Sequence, residues 1–306
     1  MKNRGAISIV LGVFVGALSA VSAANAMTPG GMPKKYVGLL FDVINTTPAN
    51  ILANADQFAE HAPYLDGVAI ALRDVPAVDS DGKIVISQHD SIMHPTRRWT
   101  RDAIKDQLPI LKAIAQKPHL KESFLLFWQT PGHKSIRLDW RDDKAWANYA
   151  ENMANVAWLA KEAGLKGLML DPEEYKLSLQ YIHTGDDPPF EECAKLARQR
   201  GREVFSRVFK EFPDAVIWSL WFFSRFGWSL ENGRQCNPLN YCDDSAELSQ
   251  YYYNGMIDAM PPEARAVDGT EHYSGSSLDN AYIYDYVNES TGAMAFVAPE
   301  NMKKFR

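Results

Sequence analysis

The stretch Gly164-Leu-Lys-Gly-Leu-Met-Leu-Asp-Pro-Glu-Glu-Tyr175 decides how the chain is read. A helical pattern ends at Gly164, and a short apolar strand runs from Gly167 to Leu170. It opens into three carboxylates: Asp171, Glu173 and Glu174. Pro172 stops the strand, because proline has no N–H to give a ladder. Side chains alternate along a strand, so Asp171 and Glu173 are expected on one face and Glu174 on the other. Acids at the end of a strand that is otherwise apolar are costly to place without a use.

The same β-α rhythm extends in both directions. Upstream, strands are expected at Tyr36–Asp42, Asp66–Leu72 and Ser123–Trp128, with helices over Thr47–Ala62, Thr100–Gln116 and Asp143–Ala163. The last of these is the clearest amphipathic helix, with Trp146, Tyr149, Met153, Val156, Ala157 and Ala160 three to four residues apart. Downstream come a helix over Phe190–Phe212, a strand over Ala215–Phe222, a helix over 245–260 and a strand over Arg265–Tyr273. The tail from Asp279 to Arg306 reads as helix, with Ala293-Met-Ala-Phe-Val-Ala298 also compatible with a seventh strand. Between Arg73 and Thr100 lies a polar insertion, in which Asp79-Ser-Asp-Gly82 is a turn signal and Lys83–Ser87 one strand of a hairpin.

Apolar strands joined by helical crossovers imply a parallel sheet. No Gly-rich phosphate loop follows the first strand, which removes the best support for a nucleotide-binding doubly wound fold. The long insertions follow strands on the side where (β/α)8 barrels keep their active sites. The expected fold is therefore α/β, a TIM-type (β/α) barrel in a single domain over residues 36–306. About six β-α units are visible, and two more need roughly 60 residues. The expectation is accordingly a barrel that is incomplete or C-terminally truncated.

Residues 1–26 stand apart. Lys2 and Arg4 precede an apolar run from Ala6 to Val21, and Ala24-Asn-Ala26 offers a small-residue cleavage site. This is the pattern of a secretory signal peptide, so the chain is expected to be exported, to the periplasm or the extracellular space. Residues 27–35 read as a leader. Losing Lys2 and Arg4 takes the formal charge from −6 to −8, which argues against nucleic acid or an anionic membrane as partner. Cys236 and Cys242 suit a local disulfide in an oxidising compartment, while Cys193 sits in a helical pattern and reads as a buried thiol.

Acids gather at the expected strand ends: Asp42, Asp171, Glu173, Asp268 and Glu271. Two carboxylates in different environments can serve as general acid and as nucleophile or base on a glycosidic bond. Glu173 is the first choice as proton donor, Asp171 its modulator through charge and hydrogen bonding, and Glu271 the second carboxylate. Aromatic rings suit the apolar C–H faces and polar edges of a sugar. Trp128, Trp221 and Trp228 are candidates for that contact, with Asp42 and Tyr273 as polar neighbours. Trp146, Trp158 and Trp218 fall within helix or strand patterns and read as packing, as does Tyr251-Tyr-Tyr253. No strand carries a His-x-His pair and no Cys or His stands at zinc-ligand spacing, so neither a metal nor a cofactor is expected.

With these acids in place the layout resembles the glycoside hydrolase (β/α)8 barrels. In chitinase-like barrels the fourth strand carries D-x-x-D-x-D-x-E, whose final Glu is the proton donor. Asp171 and Glu173 match its last two acids, while Lys166 and Met169 stand where the first two would be. In the large retaining clan an acid/base Glu follows strand 4, the position of Glu173. The resemblance implies a hydrolase acting on a poly- or oligosaccharide. A glycan-binding barrel without catalysis and a metal-dependent barrel hydrolase are the alternatives.

Overall fold

The computed structural model describes residues 37–38, 47–87, 92–128, 137–173, 180–223, 248–269 and 298–304. Six strands form one parallel sheet: β1 (Val37–Gly38), β2 (Gly67–Ala71), β5 (Phe124–Trp128), β6 (Gly167–Asp171), β7 (Val216–Ser219) and β8 (Arg265–Asp268), in that spatial order. Two further strands, β3 (Val75–Val78) and β4 (Ile84–Ser87), make a separate antiparallel hairpin. The six-strand sheet is curled into a half-barrel with helices between its strands. Each of the six expected strands and the hairpin has a counterpart, although the rest of Tyr36–Asp42 and residues 270–273 lie outside the described residues. β7 is shorter than expected, ending at Ser219; Leu220 N–H still donates to the Leu170 carbonyl of β6, and by Phe223 the backbone N–H has turned to Asp268 of β8.

The helices are α1 (Pro48–Ala53), α2 (Ala55–His61), α3 (Arg101–Ile104), α4 (Leu108–Ala115), α5 (Asp143–Ala163), α6 (Phe190–Glu211) and α7 (Ser249–Ala259). The helix expected over Thr47–Ala62 is broken at Asn54, whose amide donates back to the Asn50 carbonyl at 2.8 Å. Asparagine competes in this way with the helical backbone. The helix expected over Thr100–Gln116 is also interrupted. Pro109 cannot donate to the preceding turn, and residues Lys105–Gln107 tighten into a 3-10 turn before α4 begins. Of the tail, only residues 298–304 are described, and Pro299–Lys304 is a 3-10 turn.

α5 spans the expected 143–163. Asp142 caps its N-terminus by accepting from Ala145 N–H at 3.0 Å. Gly164 ends it with φ 79°, a left-handed conformation that costs glycine nothing. Three asparagines one turn apart on α5 hold the segment that leads into α3. Asn148 donates to the His94, Pro95 and Arg97 carbonyls. Asn152 donates to Ile92 and Arg97 and accepts from Trp99 N–H at 2.8 Å. Asn155 donates to the Trp99 carbonyl and accepts from Arg101 Nε.

One hydrophobic cluster joins both sides of the sheet to the helices. α6 and α7 cross backbone to backbone at two glycines. A methyl group on Gly201 would fall 1.9 Å from the Tyr252 carbonyl oxygen, and one on Gly255 2.0 Å from that of Arg198. Beside this crossing lies an aromatic cluster of Trp140, Trp146, Tyr149, Tyr181, Tyr252 and Tyr253, with the two indoles stacked at 5.0 Å.

Candidate functional site

Strand pairing places the residues at the C-terminal ends of the sheet in rows. Trp128 is the register partner of Asp171, and Ser219 that of Asp268. The two rows face opposite ways. Tyr253 of α7 hydrogen-bonds to Ser219, and Phe127 meets Trp99 of the segment held by α5, so Phe127, Ser219 and Asp268 share the helix-covered side. By alternation Trp128, Met169 and Asp171 face the hollow of the half-barrel. Trp218, on the same side, packs edge-on against Phe124 at 5.6 Å.

Asp171 is the last residue of β6 and is 9% exposed. Its Oδ1 accepts the Glu173 backbone N–H at 3.0 Å, closing a local turn around Pro172. Glu173 is half-buried just beyond that turn. Its placement is therefore set by the Asp171 side chain and not by strand alternation, which ends one residue after Leu170. The structure brings Asp171, Glu173 and Trp128 together at the ends of two neighbouring central strands. Adjacent strands lie about 4.8 Å apart.

The sequence reading missed Arg73. Arg73 lies two residues past Ala71, where β2 and its pairing with β5 end. Asp74 follows it with φ 53°, the one left-handed non-glycine among the described residues. Such outliers gather where a site requires an unusual backbone.

Asp268 is a correction to the reading of strand-end acids as one group. Its Oδ2 accepts Phe223 N–H at 2.9 Å on the helix side, so it fixes the corner after β7 and does not share the hollow with Asp171. Tyr253 supports the same corner, and burial pushes its phenol well above the ordinary value, with Tyr149, Asp268 and Asp171 adding to the rise. Trp221 is fully buried and packs in the core, where it has no face to offer a sugar. Trp146 is core as expected, and the Arg101 guanidinium lies over the Trp158 ring at 5.1 Å. Trp228, Asp42, Glu271 and Tyr273 lie outside the described residues, and so do Cys236 and Cys242.

Two segments, residues 137–138 and 180–187, are locked together. Gln180 accepts from Leu138 N–H at 2.8 Å and donates to the Leu138 carbonyl at 3.2 Å, imitating a strand pairing with one side chain. The Arg137 guanidinium pairs with Asp187 at 2.9 Å and donates to the Ile182 carbonyl at 3.0 Å. Burial alone would raise the Asp187 carboxyl, but the Thr184 N–H and the Arg137 cation outweigh it and hold it below the ordinary range. These ties join residues 137–138, which follow β5 in the chain, to residues 180–187, which follow β6. Close by, Cys193 is buried, and burial pushes its thiol up to about 11.

Among the described residues no three His, Cys, Asp or Glu side chains converge as metal ligands, and no helix is long and apolar enough to cross a membrane. No protein-family model and no curated protein matches the chain.

Proposed function

We propose that this chain is an exported carbohydrate-active protein of the glycoside hydrolase type, built on a partial (β/α) barrel and acting on a poly- or oligosaccharide. Glu173 is the general acid. Asp171 positions it through the turn that its own carboxylate closes. Trp128 is the platform for a sugar ring, and Arg73 supplies a cation at the same edge. The observation that carries this reading is the pairing of Trp128 with Asp171 at the open end of the sheet, with Glu173 tied to Asp171 at 3.0 Å. A half-buried acid beside an aromatic face is the arrangement that protonates a leaving oxygen while a sugar is held flat. Glu271 is the proposed second carboxylate, and residues 1–26 are the proposed export signal.

The test is a panel of oligosaccharides hydrolysed by the wild-type protein and by Glu173→Gln. Hydrolysis is expected to fall by at least about 10²-fold in the variant, with glycan binding retained. A variant with wild-type turnover removes Glu173 from the mechanism. Wild-type protein that binds glycans and cleaves none is a glycan-binding barrel.

A further inference from the structure

The two edges of the β3–β4 hairpin differ. Its turn is tight: Gly82 N–H donates to the Asp79 carbonyl, Asp79 N–H donates to the Lys83 carbonyl, both at 2.9 Å, and Gly82 has φ 78°. In an antiparallel ladder, residues alternate between bonding across and turning outward. Counting from the Asp79–Lys83 bond, Ala77 and Val75 bond across to Val85 and Ser87. Val78 and Pro76 then turn toward one edge, and Ile84 and Ile86 toward the other. The first edge is closed. Val78 exchanges both of its backbone bonds with Arg98, at 2.9 and 2.8 Å, and Pro76 has no N–H to satisfy. Along the second edge the outward N–H and C=O groups of Ile84 and Ile86 meet no partner among the described residues. The side chains stand open as well, with Ile84 74% and Ile86 61% exposed. Strand edges are ordinarily blunted by a charge, a proline or a cover, and β4 has none of these between Ile84 and Ile86.

We propose that β4 is a pairing edge for β4 of a second copy of this chain, antiparallel about a two-fold axis at Val85. That axis sets Ile84 opposite Ile86 of the partner subunit and Ile86 opposite Ile84 of the partner subunit. Each of these pairs exchanges two backbone bonds, and the four isoleucines cover one another. The strand also brings no like charges together. Lys83 falls opposite Ser87 of the partner subunit and is already neutralised by Asp81 at 3.5 Å, so no like charges meet. An ionic partner gains nothing at so uncharged an edge, whereas a second copy supplies the same β-branched residues in register. The contact is small beside the roughly 800 Å² per partner of a stable complex, so the dimer is weak and dependent on concentration.

Sedimentation velocity of the full chain, from about micromolar to about millimolar, tests this. The wild-type protein is expected to shift from monomer to dimer mass across that range. The Ile84→Lys/Ile86→Lys variant is expected to stay monomeric, with an unchanged circular dichroism spectrum. Ile86→Pro is the second variant, since it removes one outward N–H as Pro76 does on the other edge, and it should raise the dissociation constant at least about tenfold. A wild-type monomer at every concentration overturns the proposal. So does a dimer that survives both variants.

Discussion

Arg137 and Asp187 pair at 2.9 Å across two loops that lie 50 residues apart in the chain, with side-chain exposures of 20% and 12%. The pair is thus largely withdrawn from water, and Thr184 donates to the same carboxylate from both its N–H and its hydroxyl. Removing either charge leaves hydrogen-bonding groups stranded.

Asp187→Asn is expected to cost about 2 kcal/mol at neutral pH. The folded protein holds this carboxyl below its ordinary value near 4. Its contribution is therefore fully present above the unfolded value and fades as pH falls through the folded one. Urea unfolding at neutral pH and again well below pH 4 checks the sign. The difference between wild type and variant should shrink in acid, and a difference that stays constant would show that the charge is not what matters.

Asp171 has two properties that substitution can separate. Asn keeps an oxygen to accept the Glu173 N–H, whereas Ala does not. We expect Asp171→Ala to lower turnover about 10²-fold, on whichever oligosaccharide the wild type cleaves, and Asp171→Asn to lower it less. Equal losses in both variants would assign the effect to charge and not to the turn.

The α6–α7 crossing gives a prediction of stability. Gly201→Ala pushes a methyl group to 1.9 Å from the Tyr252 carbonyl oxygen, and backbone on both sides must give way. The expected cost is about 3 kcal/mol, read from the shift of the denaturation midpoint. The same change at Gly185, where an added methyl meets nothing within 4 Å, is the control and should cost far less.

The strands before β8 were legible because each is a short apolar run between turn residues, and Gly167–Asp171 is the plainest of them. Asp171 was legible as the place where that run turns acidic. What the sequence hid is long-range. Gln180 imitating a strand beside Leu138 has no local signature, and Asp268 looked like any other strand-end acid. In Arg265-Ala-Val-Asp268 exposure alternates, but hydrophobicity does not, so nothing local tells which side faces the helices. Arg73 was hidden for a simpler reason: it directly follows the expected strand Asp66–Leu72 and so reads as the first residue of the polar insertion.

The three asparagines of α5 have one more implication. They meet a segment with no regular structure of its own, yet they are spaced by a helix whose turns rise about 5.4 Å each. The carbonyls of Ile92, Arg97 and Trp99 hang from that regular scale. The helix acts as a ruler, and residues 92–99 are cut to its divisions. Single substitutions that keep a carboxamide are tolerable there, but adding or deleting one residue puts every later hook out of step.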